Sequence, residues 1–265
     1  MLEFQIRLQK QRNTNNLKTL FNVRSIPKAT QLRDVIDIIP SESFDPVFSD
    51  FFRSLQRSKQ LEKFQFIKDM YLMPIDGTQY FSSKTISCPS CLIKNHRNGD
   101  TTYSHQVLGV SIVHPDRRQV IPLAPEPIQN IDGSSKQDCE RNAGKRLLQK
   151  IRTSHPKLNI IIAGDGLFSN QPFLDELKNN RMSYILVAKP GDHKFLFECL
   201  SALKACDEIN TLEFNDQKGR RHIYEWFNSE PLNGSEQADN VNFFEYTIIS
   251  VAKITFHCGW VTDIP

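Results

Sequence analysis

Two aspartates stand at matching places in this sequence. Asp76 follows the apolar run of "DMYLMPIDGTQYFSS", Asp165 follows that of "LNIIIAGDG", and glycine comes next in both cases. Aspartate is a poor strand residue and is costly to bury unpaired. A carboxylate at such a place either caps the following turn or holds a cation. If neighbouring strands bring the two together they repel, and one keeps its proton unless a cation lies between them. Mg²⁺, or Mn²⁺ in its place, suits a pair of hard carboxylates with water or phosphate filling the shell. Two such ions roughly 3.5–4 Å apart activate a water or hydroxyl on one side of a phosphodiester and stabilise the leaving oxygen on the other.

A second group of ligand types lies in "CPSCLIKNHRNGDTTYSH": Cys88, Cys91, His96 and His105. Cys-x2-Cys is a zinc-knuckle spacing, and structural zinc takes four nitrogen or sulfur ligands. One loop can supply all four, or Cys139 can replace a histidine. The competing reading is a pair of reduced thiols in a surface loop. Elsewhere, His114 and His155 precede prolines and read as turns, His222 and His257 read as structural, and His193 at a helix start near the acids is a candidate phosphate contact.

These residues need a frame. Residues 1–68 read as short amphipathic helices broken at Pro27, Pro40 and Pro46, with Phe48, Phe51, Phe52 and Leu55 at spacings of three and four. From Met70 the pattern turns to strands: "MYLMPID", "SHQVLGVSIVHP" and "QVIPLAPEP". Then comes the helix "SSKQDCERNAGKRLLQKIRTSH", with a capping-box signature at Ser135 and Asp138, and the strand ending at Asp165. A short helix capped by Asn170, the strand "SYILVAKPGD" and the helix "HKFLFECLSAL" follow. The order β-β-β-α-β-α-β-α predicts an α/β fold with a mixed central sheet over 69–207. Residues 208–265 read as a β-rich insertion or extension.

The 265 residues carry a net charge of +3, with 39% hydrophobic and 24% charged residues. That balance predicts a real core and permits a nucleic-acid partner without demanding one. No run approaches the roughly 18 apolar residues of a membrane span. "MLEFQIRLQKQRNTNN" does not read as a signal peptide, and six cysteines predict reduced thiols in a cytosol rather than a disulfide framework.

The ordered combination of "IDGTQYFSS", "SHQVLGVSIVHP", "VIPLAPEPI", "DCERNAGKRLL" and "YILVAKPGDHKFLF" resembles the IS4-like DDE transposase family, whose catalytic domain has an RNase H-like fold. The resemblance covers nearly the whole chain and is firmest over 70–200. It implies that Asp76 and Asp165 are the first two acids of a DDE triad, and that the cofactor is Mg²⁺ or Mn²⁺. It implies DNA cleavage and strand transfer at the ends of a bacterial insertion sequence. The implied partner is double-stranded DNA with terminal inverted repeats, a homodimer being one allowed assembly. The implied location is cytoplasmic and nucleoid-associated, with no membrane.

In that family the third acid is a glutamate on a helix after the β-rich insertion, beside Tyr, Arg and Lys at helical spacing. No such segment follows Trp260, so the sequence predicts a chain truncated before the catalytic glutamate and inactive alone. Loss of a ligand that places a metal ion should cost on the order of a thousandfold in rate. Glu140, Glu225 and Glu245 are the acids that can stand in, and the sequence requires none of them. Two other readings stay open: a non-catalytic DNA-binding remnant that competes with an intact transposase, and an RNase H-like nuclease unconnected with transposition.

DNA binding needs contiguous positive charge. Lys189 and Lys194, after the strand next to that of Asp165, are the best placed for a scissile phosphate. Arg146 on the long helix and Arg220 with Arg221 in "KGRR" are further candidates. Trp226 and Trp260 either stack on an exposed base or pack a small core.

Overall fold

Chain contacts divide the protein at residues 46/47, not at the 68/69 and 207/208 changes in sequence pattern. The computed structural model describes residues 3, 6, 22–23, 28–130, 137–251 and 253–265. Ser135 of the expected capping box lies outside them. In the unit Met1–Pro46, helix α1 (Ala29–Ile36) starts with a cap in which Gln31 Oε1 accepts the Lys28 amide at 3.0 Å. Helix α2 (Asp45–Arg57) leads into the unit Val47–Pro265. There Phe52 is buried with its ring 4.1 Å from that of His155, so this part of the phenylalanine stripe covers a helix end. Phe51, from the same stripe, is exposed.

The larger unit is built on one mixed sheet of twelve strands with few helices. Its strands are β1 (Gln65–Ile67), β2 (Met70–Ser83), β3 (Leu92–Asn95), β4 (Thr101–Ile112), β5 (Ile121–Pro122) and β6 (Glu126–Ile128), followed by β7 (Ile160–Gly164), β8 (Ser183–Ala188), β9 (Asn210–Asn215), β10 (Arg221–Pro231), β11 (Asn240–Ser250) and β12 (Lys253–Thr262). The main path runs β3-β4-β2-β7-β8-β12-β11-β10-β9. β2, β7 and β8 are parallel to one another, and β4 is antiparallel to β2. Ile160, Ile161 and Ile162 are all buried, because β7 is covered on both faces, the usual lot of a central parallel strand.

Helices α3 (Glu140–Ser154), α4 (Gln171–Asn179) and α5 (Lys194–Ala205) follow the order read from sequence. α3 buries Ala143, Leu147, Leu148 and Ile151 along one stripe. Asn170 caps α4 by accepting the Phe173 amide at 3.3 Å, with Pro172 in the first turn.

Two elements differ from the sequence reading, each for a local reason. β2 does not end at Asp76 but runs on to Ser83 against β4. Pro74 lacks an N–H and lies in the gap between the Ile75↔Val110 pairing and the Leu72↔Val113 bridge. The expected third strand is split by its prolines into β5 and β6. Both line the outer edge of β4, whose remaining length pairs with the unforeseen β3. Residues after 208 form β9–β12, a meander joined to the central sheet where Gly259–Thr262 pair with Ala188–Ile185. No helix among the described residues is long and apolar enough to cross a membrane.

Candidate functional site

Strand register brings the two aspartates together. β2 and β7 pair in parallel from Tyr71↔Ile160 to Pro74↔Ala163. Carried two residues further, the same register sets Asp76 beside Asp165, about one strand spacing (~4.8 Å) away. β7 stops at Gly164 while β2 continues on its other side, so both acids sit where the parallel ladder opens, and both are exposed. Asp165 also caps its own turn: Oδ1 accepts the Leu167 amide at 2.9 Å. That bond leaves its second oxygen available to a cation.

Glu140, the first residue of α3, joins them. Its carboxylate lies directly over Gly77, so close that a Cβ at 77 would overlap it. Burial, then the charge of Asp165, then that of Asp76 push the Glu140 carboxyl above the usual carboxylate range. A divalent cation among the three acids would relieve that repulsion, carboxylate oxygens being the hard donors such an ion takes. Glu225 and Glu245, the other acids considered as stand-ins, face each other across β10 and β11 and are bound by Lys204 at 2.8 and 3.1 Å. His257 adds a second contact to Glu245 at 2.8 Å.

The cations divide into two groups. Lys189 lays its stem over Gly166, with Cδ and Cε 3.5 Å from where a Cβ would stand, which puts the ammonium next to the Asp165 turn. Lys189 and Lys194 are exposed. The arginines are engaged within the chain. Arg146 holds Glu126 at 2.6 Å and Asp138 at 2.8 Å, Arg220 holds Asp216 at 2.7 Å, and Arg221 holds Glu213 at 2.5 Å. Each of these guanidiniums, expected from sequence as part of a DNA surface, faces a carboxylate of its own chain. His193 is likewise buried rather than offered to phosphate. Its Nε2 donates to the Ser169 carbonyl at 2.8 Å and its Nδ1 accepts the Lys189 amide at 3.3 Å, an assignment of tautomer that uses both ring nitrogens. It thereby ties the Asp165 loop to the Lys189 loop.

The thiol group also differs from its expected form. Cys88, Cys91 and His105 bring their ligand atoms together, whereas His96 turns away to Thr102 Oγ1 at 2.8 Å. Cys139 precedes α3 as its N-cap residue and is not part of the group. Trp226 and Trp260 line an open apolar groove of about 790 Å³ with Leu212, Tyr224 and Phe244 on the meander.

No protein-family model and no curated protein matches the chain. Among solved structures, it is similar to a piggyBac transposase in a synaptic complex with hairpin DNA, determined by cryo-electron microscopy. The identity is 10% and the TM-score 0.35, over 72% of this chain and 32% of that one. The chain therefore spans about a third of the length of that transposase.

Proposed function

We propose that this chain carries a divalent-metal-dependent DNA phosphodiester-transfer site of the DDE transposase type, with Asp76, Asp165 and Glu140 as its carboxylates. The observation that carries the reading is the β2–β7 register that sets Asp76 beside Asp165, with Glu140 leaning over Gly77. The strand order β6-β4-β2-β7-β8, with β4 antiparallel and the last three strands parallel, supports an RNase H-like core. On this reading Glu140 supplies the third carboxylate from the start of α3, and an acid beyond the β-rich segment is not required for the ion to bind.

Bound Mg²⁺ or Mn²⁺ would supply Lewis-acid activation of the attacking oxygen and charge neutralisation at phosphorus. The protein's part is to hold three carboxylates at the open end of the ladder and to bring Lys189 to the phosphate. An ammonium there stabilises the charge that develops on the non-bridging oxygens. His193 acts behind the site by fixing the two loops that carry Asp165 and Lys189.

Nicking of supercoiled plasmid in Mn²⁺ tests the reading. Nicking should fall by about a thousandfold or more in Asp76→Ala and in Asp165→Ala. Nicking that survives both substitutions would show that these acids are not the site. Duplex binding and Mn²⁺ uptake without nicking would favour the DNA-binding remnant instead.

A further inference from the structure

Away from the carboxylates, the described residues hold a group of metal-ligating side chains of quite different chemistry, Cys88, Cys91 and His105. Cys88-Pro89-Ser90-Cys91 forms a tight turn in which the Cys91 amide donates to the Cys88 carbonyl at 3.1 Å. Proline at the second position of such a turn presets its φ. The turn swings both sulfurs to one side, 3.5 Å apart, and the Cys88 amide donates back to Cys91 Sγ at 3.3 Å. His105 Nε2, from the middle of β4, completes a triangle at 3.3 Å from Cys88 Sγ and 3.4 Å from Cys91 Sγ.

Three soft or borderline donors about 3.3–3.5 Å apart are one face of a tetrahedron around an ion with bonds of about 2.0–2.3 Å to nitrogen and sulfur. The surroundings hold the imidazole in place. The β2–β4 ladder slips by one residue between Gln79 and Phe81. That bulge lets two consecutive aromatic rings flank His105, Tyr80 stacked at 5.9 Å and Phe81 tilted at 5.6 Å. Cys91 is buried, while Cys88 is exposed, so the fourth position opens to solvent.

We infer that Cys88 Sγ, Cys91 Sγ and His105 Nε2 bind Zn²⁺, with water as the fourth ligand. The ion acts as a staple. It fastens the segment between β2 and β3 onto β4, and its hold passes on to α3. The Cys91 carbonyl accepts from Asn130 Nδ2 at 3.3 Å, and Asn130 Oδ1 accepts the Asp138 amide at 3.0 Å, two residues before Glu140. Gln137 Oε1 accepts the Ile93 amide at the start of β3. The zinc site stands on its own geometry and does not depend on the phosphodiester reading.

The whole chain, purified with reductant and zinc and then dialysed, should retain roughly one equivalent of zinc. Cys88→Ser, Cys91→Ser and His105→Ala should each retain less than about a tenth, while His96→Ala and Cys139→Ser keep the full equivalent. Should the ligand variants fail to fold, Co²⁺ titration of the metal-free wild-type chain decides. A one-to-one endpoint with thiolate-to-cobalt charge-transfer bands and tetrahedral visible bands is expected. Less than about a tenth of an equivalent in the wild type, loss of zinc in His96→Ala, or a cobalt spectrum without thiolate bands would overturn the assignment.

Discussion

The carboxylate of Glu140 rests on Gly77, the residue after Asp76, in space that a side chain at 77 would fill. The glycine is therefore explained by what covers it and not by a special backbone angle, since only Gly99 and Gly219 among the described glycines have positive φ. Gly77→Ala should push the Glu140 carboxylate aside. The end of a flexible side chain moves cheaply, so the stability cost should stay below about 1 kcal/mol, while Mn²⁺ affinity falls by about tenfold or more. Urea unfolding beside Mn²⁺ titration separates the two. Unchanged Mn²⁺ affinity would mean that Glu140 does not contribute to the ion site.

Glu140 also sets a pH dependence. Its carboxyl is raised in the folded chain by burial and by Asp165 and Asp76. The folded state thus binds a proton more readily than the unfolded state does. The resulting stabilisation is complete below the ordinary carboxylate range and is lost as pH rises through the folded value. In chelator, Glu140→Gln should be more stable than wild type at neutral pH, with the advantage fading as the solution is acidified. Thermal melts across that range check it, and adding Mn²⁺ should reverse the order at neutral pH.

Arg146 makes the opposite case. Burial pushes the Asp138 carboxyl up, but Arg146 with the Cys139 and Gln129 amides outweighs it and leaves the group below the usual range. Stability from a lowered carboxyl is present above the unfolded pKa and lost as pH falls through the folded value. Arg146→Met should cost about 1–3 kcal/mol at neutral pH, and the gap to wild type should narrow in acid. Urea midpoints at neutral and acid pH test this. A loss of DNA affinity without a loss of stability would restore Arg146 as a phosphate contact.

Lys189 and Arg221 should separate in a DNA-binding titration against salt. Lys189→Ala should weaken duplex binding and flatten the log–log salt slope by about one unit, the signature of one lost phosphate contact. Arg221→Ala should leave the slope unchanged, because Glu213 already holds that guanidinium at 2.5 Å.

The sequence makes some of this visible and hides the rest for identifiable reasons. Asp76 and Asp165 are legible because each follows an apolar run, and parallel strands with a helix between them bring such run ends to the same side. Glu140 is not, because its place depends on the loop that delivers α3, and no periodicity describes that loop. Nor does spacing separate His105 from His96. The short hairpin of β3 and β4, turned at Gly99, points one imidazole at the thiols and the other at Thr102. Four residues of "LIKN" are too few to announce that hairpin. Charge runs mark Arg146, Arg220 and Arg221 as basic but say nothing of the partners, which come from folding for Glu126 and lie close in sequence for Asp216.

The seam between β8 and β12 gives the meander a mechanical duty. Ala188, the last residue before Lys189, is paired with Gly259, and the Tyr184 amide is held by Asp263 at 2.9 Å. A chain ended near residue 208 would keep all three acids yet lose that support. Its β8 would become a bare rim of unpaired amides and carbonyls, inviting self-association. The β-rich tail thus covers the rim of β8 beside the acid-bearing half and moves the open edge of the sheet out to β9.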